Sequence, residues 1–324
     1  MNKRDPFFDN AKFLLIILVV FGHLPLTDDA GRATIRWVFS FHMPLFVFIS
    51  GYFTRITDTN KYWQGVLKFA ETYVVFSFIQ LLIPTLLGKH IGFSALIHPR
   101  WTLWYLLSLI WWRIMLYYIP SSIRNNHKLL IAASVVLCLA AGWVPLNSQL
   151  SFQRTFAFLP FFTMGYVAGA NKLKIEKQMP VLAALFALAL AWCVLYFTGV
   201  KPYFLGRENY MSPTHYLPVI NFAWRAVWLV VATVMSYCFL CIVPQKEYRW
   251  THFGELTLFI YLYHAIILLG RHQIVAVLNL PTTFLSGILY TVIVLLIIWL
   301  LSKFRIFHWL LNPISSLMRK KDVS

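Results

Sequence analysis

Charge is what this sequence has least of. Asp, Glu, Lys and Arg together make up 12% of its 324 residues, against about a quarter in soluble domains. Acidic residues are the scarcer sign, 11 against 28 Lys and Arg. With 60% hydrophobic residues, this composition excludes an ordinary soluble domain and leaves an integral membrane protein. Cysteine is sparse as well. Cys138, Cys193, Cys238 and Cys241 all lie in apolar runs, which suggests neither a disulfide framework nor a zinc site. No metal is expected. The first apolar run has no small-residue cleavage site and is followed at once by others, so no cleavable signal peptide is expected. No internal repeat is apparent, and no fused soluble domain is expected beside a single membrane domain over 1–324.

The net charge of +17 invites a nucleic-acid partner, but its placement argues against one. Apolar stretches near 11–28, 36–53, 66–87, 101–119, 129–146, 154–170, 180–198, 222–243, 253–275 and 283–302 read as about ten spans by length. An even count puts both termini on one side. That side receives about twice as many Lys and Arg as the other, so the positive-inside rule makes it the cytoplasm. The expected fold is therefore all-α, with about ten transmembrane helices and both termini cytoplasmic. The basic excess is mostly a topology signal, with membrane lipids rather than nucleic acid as its partner. Nothing in the pattern fixes an oligomeric state.

What remains polar inside the apolar runs marks the candidate site. The first run carries Asp9 and Lys12 at one end and His23 deep inside, after a short cytoplasmic lead-in through residue 12. On a helix, Lys12 and His23 fall within about 20° of one another and roughly 16 Å apart along the axis. Such a stripe faces protein or water, not lipid. The second run brings His42, beside Pro44, to about 9 Å below Arg36. The ninth brings His264 about 16 Å beyond Phe253, a depth that matches His23. Small residues Ser50 and Gly51 end the second run and allow another backbone to approach closely. The segment after it, from Thr54 to Lys68, looks amphipathic and interfacial. Trp101, Trp104 and Tyr105 open the fourth run, either as an interface belt or as a wall on which a sugar stacks. The longest outer connection, 199–221, holds Tyr203, Arg207, Glu208, Tyr210 and His215, and loops of that length often bind or cover a substrate.

Several segments carry a family resemblance. DNAKFLLIILVVFGH, FHMPLFVFISGYF, TLWYLLSL, RTFAFLPFFTMGY and FIYLYHAII resemble, in order, the signature segments of the membrane acyltransferase-3 family, nearest to its fucose acetylase-like sugar O-acetyltransferases. The resemblance spans nearly the whole chain. It implies a multi-pass enzyme, in a bacterial inner or plasma membrane. Such an enzyme would take an acyl group, usually acetyl, from cytoplasmic acyl-coenzyme A (acetyl-CoA) to a hydroxyl of an extracytoplasmic or lipid-linked glycan. Asp9, Lys12 and His23 match the motif Asp, the Lys after it and the essential His. His42 matches the Phe-His-Met-Pro histidine, Arg154 the outer Arg, His264 the late-span His, and Lys68 what is left of a basic cluster.

The chemistry of these residue types agrees. Acyl transfer to a hydroxyl needs a base that is half-protonated near neutral pH, and imidazole is that group. His23 is expected to be this base or, alternatively, to carry the acyl group itself. A developing oxyanion needs donors, which His42, His264 or Arg154 can supply. Phosphates of the donor suit Lys12, Lys68 and Arg55 at the cytoplasmic edge. Each residue also has a plainer reading. The histidines can be interhelical hydrogen-bonding residues, the basic residues topology anchors, and Asp9 a helix cap paired with Lys12. At the level of function, the rival is a polysaccharide or small-molecule transporter, since about ten spans with buried polar residues also suit a substrate path.

Overall fold

A computed structural model describes residues 5–86, 98–99, 102–145, 149–173, 179–199, 209–211 and 217–316. Trp101 and the loop residues Tyr203, Arg207, Glu208 and His215 lie outside the described residues. Within them every regular element is helical: α1 Pro6–Gly22, α2 Asp29–Tyr52, α3 Thr59–Leu86, α4 Trp104–Tyr118, α5 Ser121–Asn125, α6 His127–Ala141, α7 Phe152–Ala170, α8 Val181–Thr198, α9 Pro218–Ile242, α10 Thr257–Ile267, α11 Arg271–Val277, α12 Phe284–Leu301 and α13 Arg305–Trp309. Six stretches among the described residues are long and apolar enough to cross a membrane: α2, α3, α8, α9, the compound stretch Thr251–Val277 and α12. The remaining apolar runs hold α1, α4 and α6, of 17, 15 and 15 residues, and α7, of 19.

Three boundaries differ from expectation, each for a local reason. The supposed lead-in is helix. Asp5 accepts a hydrogen bond from the Phe7 N–H at 3.0 Å, and Pro6 follows at the first helical position, where its missing N–H costs nothing. The cap of α1 is thus Asp5, not Asp9, and His23 stands at the C-terminal cap rather than deep inside the helix. The amphipathic stretch after Thr54 becomes α3 from Thr59 onward. The ninth run is not one helix. It is a 3₁₀ segment Thr251–Leu256, then α10, then a second 3₁₀ turn Leu268–Gly270, then α11.

The chain divides into two compact units, with boundaries inside α2, α9 and α12. The first holds 1–46, 174–204 and 227–300. In it α1 packs along α10 and against the 3₁₀ segment before it. Gly254 makes that approach close, since a Cβ there would overlap the Asp9 backbone. Polar side chains on α2 tie α8 down: Trp37 Nε1 donates to the Leu188 carbonyl at 2.9 Å, and Arg36 to that of Leu195 at 3.0 Å.

The second unit holds 47–173, 205–226 and 301–324. Its central feature is the crossing of the end of α2 with α7. A Cβ at Gly51 would strike the Phe162 carbonyl, one at Gly165 the Phe48 carbonyl, and one at Gly169 the Tyr52 carbonyl. Small residues at such a crossing let two membrane helices touch backbone to backbone. Around it, Ser108 bonds Thr155 and Ser134 bonds Thr163, each at 2.8 Å, and Trp112 donates to the Thr155 carbonyl. The tail is held by α3. Glu71 accepts from the Ile314 and Ser315 N–H groups and the Ser315 hydroxyl. It so satisfies the open N–H groups of the helical turn at 313–316.

Candidate functional site

The first unit gathers the histidines. α1 ends at Gly22, where a Cβ would come to 3.1 Å from the Phe39 ring, so glycine lets α2 close in on the cap. The His23 imidazole there is half-buried. Its ring centroid lies 5.4 Å from that of His264, with 29° between planes, and 5.7 Å from that of Phe39. Phe39 in turn lies 5.2 Å from His42. His42 is 4% exposed and His264 is fully buried, and the two are within electrostatic reach of each other.

Backbone carbonyls set the state of two of these rings. Nδ1 of His42 bonds the Val38 carbonyl at 2.7 Å, and Nδ1 of His264 the Ile260 carbonyl at 3.0 Å. A carbonyl only accepts, so in both rings Nδ1 carries the hydrogen and a neutral Nε2 holds a lone pair. Among the described residues, Nε2 of His264 has no hydrogen-bond partner although it is buried. Leaving a buried polar atom unsatisfied costs about 1–3 kcal/mol. That cost does not suit a residue kept only for packing. Phe39, one helical turn before His42, joins the cluster without having been singled out in the sequence; its only signal is that i,i+3 spacing.

At the other end of α1, Lys12 and Asp9 form an ion pair at 2.7 Å. Asp9 is buried. The first unit therefore holds Asp9, Lys12, His23, His42 and His264, the last three clustered and the first two paired.

The remaining candidates belong to the second unit. Trp104 is 9% exposed, with the Arg154 guanidinium 5.0 Å from its ring centre and Phe158 at 5.0 Å. The guanidinium covers one face of the indole, and the side chain is buried. Tyr105 bonds Ser50 at 2.5 Å. Arg55 donates to the carbonyls of Tyr52, Thr54 and Gly169 at 2.6–2.8 Å. It thereby caps the C-terminal ends of α2 and α7, where a cation also meets the helix dipoles. This is a structural use of the guanidinium. Lys68 stands exposed on α3. Among the described residues no group of three or more His, Cys, Asp or Glu is placed to hold a metal ion.

The sequence profile of an acyltransferase family, the Acyltransferase domain of acyltransferase-3 type, matches residues 5–303. Two curated proteins are similar over part of their length. The Nodulation protein NolL of Mesorhizobium japonicum is 26% identical over 192 residues, which is 51% of this chain and 48% of that protein. The Nodulation protein NolL of Sinorhizobium fredii is 26% identical over 203 residues, 55% of this chain and 51% of that protein. The chain thus spans about half the length of the curated relatives it matches. No solved structure matches it.

Proposed function

Because this chain belongs to the acyltransferase-3 family, we propose that it is a multi-pass membrane O-acyltransferase that moves acetyl from cytoplasmic acetyl-CoA to a hydroxyl of an extracytoplasmic or lipid-linked glycan. On this reading it forms one catalytic membrane domain of about ten crossings in a bacterial inner membrane, both termini in the cytoplasm. The observation that supports it most is the histidine cluster at the cap of α1. A half-buried imidazole lies 5.4 Å, ring centre to ring centre, from a fully buried one whose Nε2 has no partner among the described residues.

His23 takes the proton of the acceptor hydroxyl as the oxygen attacks the thioester carbonyl. The tetrahedral intermediate then expels coenzyme A as a thiolate, and the thiolate recovers the proton from the imidazolium. His42 and His264, with Nδ1–H committed to carbonyls, offer acceptors while neutral. Either becomes an oxyanion donor only by taking up a proton at Nε2. While neutral, they can therefore accept from the His23 imidazolium that forms together with the tetrahedral intermediate, and so steady its charge. Lys12, paired with Asp9 at the start of the same helix, attracts the donor phosphates. In the second unit the resemblance assigns Lys68 to the donor, and Arg154, whose guanidinium lies over Trp104, with Tyr105 to the acceptor.

The test uses membranes containing the protein, acetyl-CoA labelled in the acetyl group, and a glycan acceptor. Label on the glycan is the expected result. Glycan crossing the membrane without label would replace the enzyme with an exporter.

A further inference from the structure

The loop before α10 is pinned to the start of α1. Asn10, fully buried, donates through its side-chain amide to the carbonyls of Pro244 and Lys246, both at 2.9 Å. Its oxygen accepts from the Thr251 hydroxyl at 2.7 Å, and that hydroxyl accepts from the Tyr248 N–H at 2.8 Å. One buried amide thus fixes the loop at both ends, and Gly254 lets the segment behind it seat on the Asp9 backbone.

What the loop fixes in place is a ladder of rings. Phe253 stacks on Phe13 of α1 at 5.3 Å, Phe13 meets Trp250 at 5.6 Å, and Trp250 stacks on Tyr248 at 5.6 Å with 10° between planes. Tyr248 ends the ladder and is 46% exposed. Lys246 and Arg249 flank it, both exposed, with Glu247 the acid between them. Lys12 precedes Phe13 on the helix. An anchor in a lipid interface needs an amphipathic ring, but not a buried amide holding its backbone in register. A stacking face with cations beside it is what a purine nucleotide requires. The base continues the ladder, and the phosphates meet Lys and Arg.

We propose that Tyr248, backed by Trp250 and Phe13, stacks the adenine of the acyl-CoA donor, with Lys246 and Arg249 on its phosphates. This rests on the donor assigned under the proposed function. The site lies at the end of α1 that carries Lys12, roughly 16 Å along the helix from His23. The nucleotide is held at one end of α1, and the thioester on its flexible arm works at the other.

The probe is adenosine 3′,5′-bisphosphate, the nucleotide end of coenzyme A, titrated calorimetrically into the full chain in lipid nanodiscs. Wild type is expected to bind it, Tyr248→Ala to weaken binding about tenfold, and Tyr248→Phe to keep it. Lys246→Gln with Arg249→Gln is expected to weaken binding and flatten its salt dependence. No binding to wild type, or equal binding to Tyr248→Ala, overturns the platform. A kinetic arm separates this proposal from the one beneath it. The kcat/KM ratio of acetyl-CoA to S-acetyl-phosphopantetheine, which lacks the nucleotide, should fall about tenfold in Tyr248→Ala. If the bisphosphate binds through Tyr248 but neither donor acetylates a glycan, acyl transfer has failed and the platform stands. If transfer proceeds with the ratio unchanged, the platform has failed and transfer stands.

Discussion

The crossing of α2 with α7 and the histidine cluster at the end of α1 use buried polar groups in opposite ways. At the crossing they are engaged: Ser50 on Tyr105, Ser108 on Thr155, and Trp112 on the Thr155 carbonyl, with the exposed Arg55 on three carbonyls at its edge. In the cluster, two imidazoles hold their Nδ1–H on carbonyls of their own helices, and the Nε2 of His264 is left open among the described residues. Engaged polar groups join helices in a bilayer, where nothing else would satisfy them. An unengaged one destabilises the fold, and its retention marks chemistry. The two regions should therefore respond differently to substitution, one in stability and the other in turnover.

Gly165→Leu should do the most damage. Its side chain would strike the Phe48 carbonyl, and overpacking of this kind costs about 3 kcal/mol. The thermal midpoint in detergent should drop steeply, with activity following only the folded fraction. An unchanged midpoint would mean that the crossing does not hold the unit together.

His264→Leu should invert that pattern. Acyl transfer is expected to fall about 100-fold while the midpoint holds or rises, because the open Nε2 costs about 1–3 kcal/mol. Equal loss of stability and activity would make His264 a packing residue and erase the contrast between the regions.

Arg55→Gln should cost about 1 kcal/mol of stability, as charge-assisted bonds to three carbonyls are weakened at an exposed site. The KM for the donor should not move. A raised KM with unchanged stability would return Arg55 to the phosphates. The smallest effect belongs to Ser134→Ala, which removes one hydroxyl and its hydrogen bond to Thr163, about 1 kcal/mol or less. The same thermal scan reads it.

The helices were largely readable from the sequence because apolar length is a local signal. Glycine at 51 also announced close approach, though not which helix would meet it; Gly165 and Gly169 took on that meaning only in the fold. The start of α1 was readable too, in the Asp5-Pro6 pair, but the apolar count draws the eye to residue 11. Nothing local marks the break in the ninth run, whose 3₁₀ segment seats on a backbone some 240 positions away in the chain, near Asp9. For the same reason the roles of Arg55 and Asn10 were hidden. Their partners include carbonyls 114 and 234 positions distant, and a basic residue near a membrane edge has a cheaper explanation in topology. The histidines could be picked out from the sequence as polar residues inside apolar runs. The open Nε2 could not, since it depends on what α10 packs against.

The most direct test of the central claim is His23→Ala, assayed for transfer of labelled acetyl from acetyl-CoA to a glycan at matched amounts of folded protein. Loss of the general base predicts a rate lower by about 10²–10⁴-fold with an unfolding midpoint close to wild type. Transfer within a few-fold of wild type would contradict it.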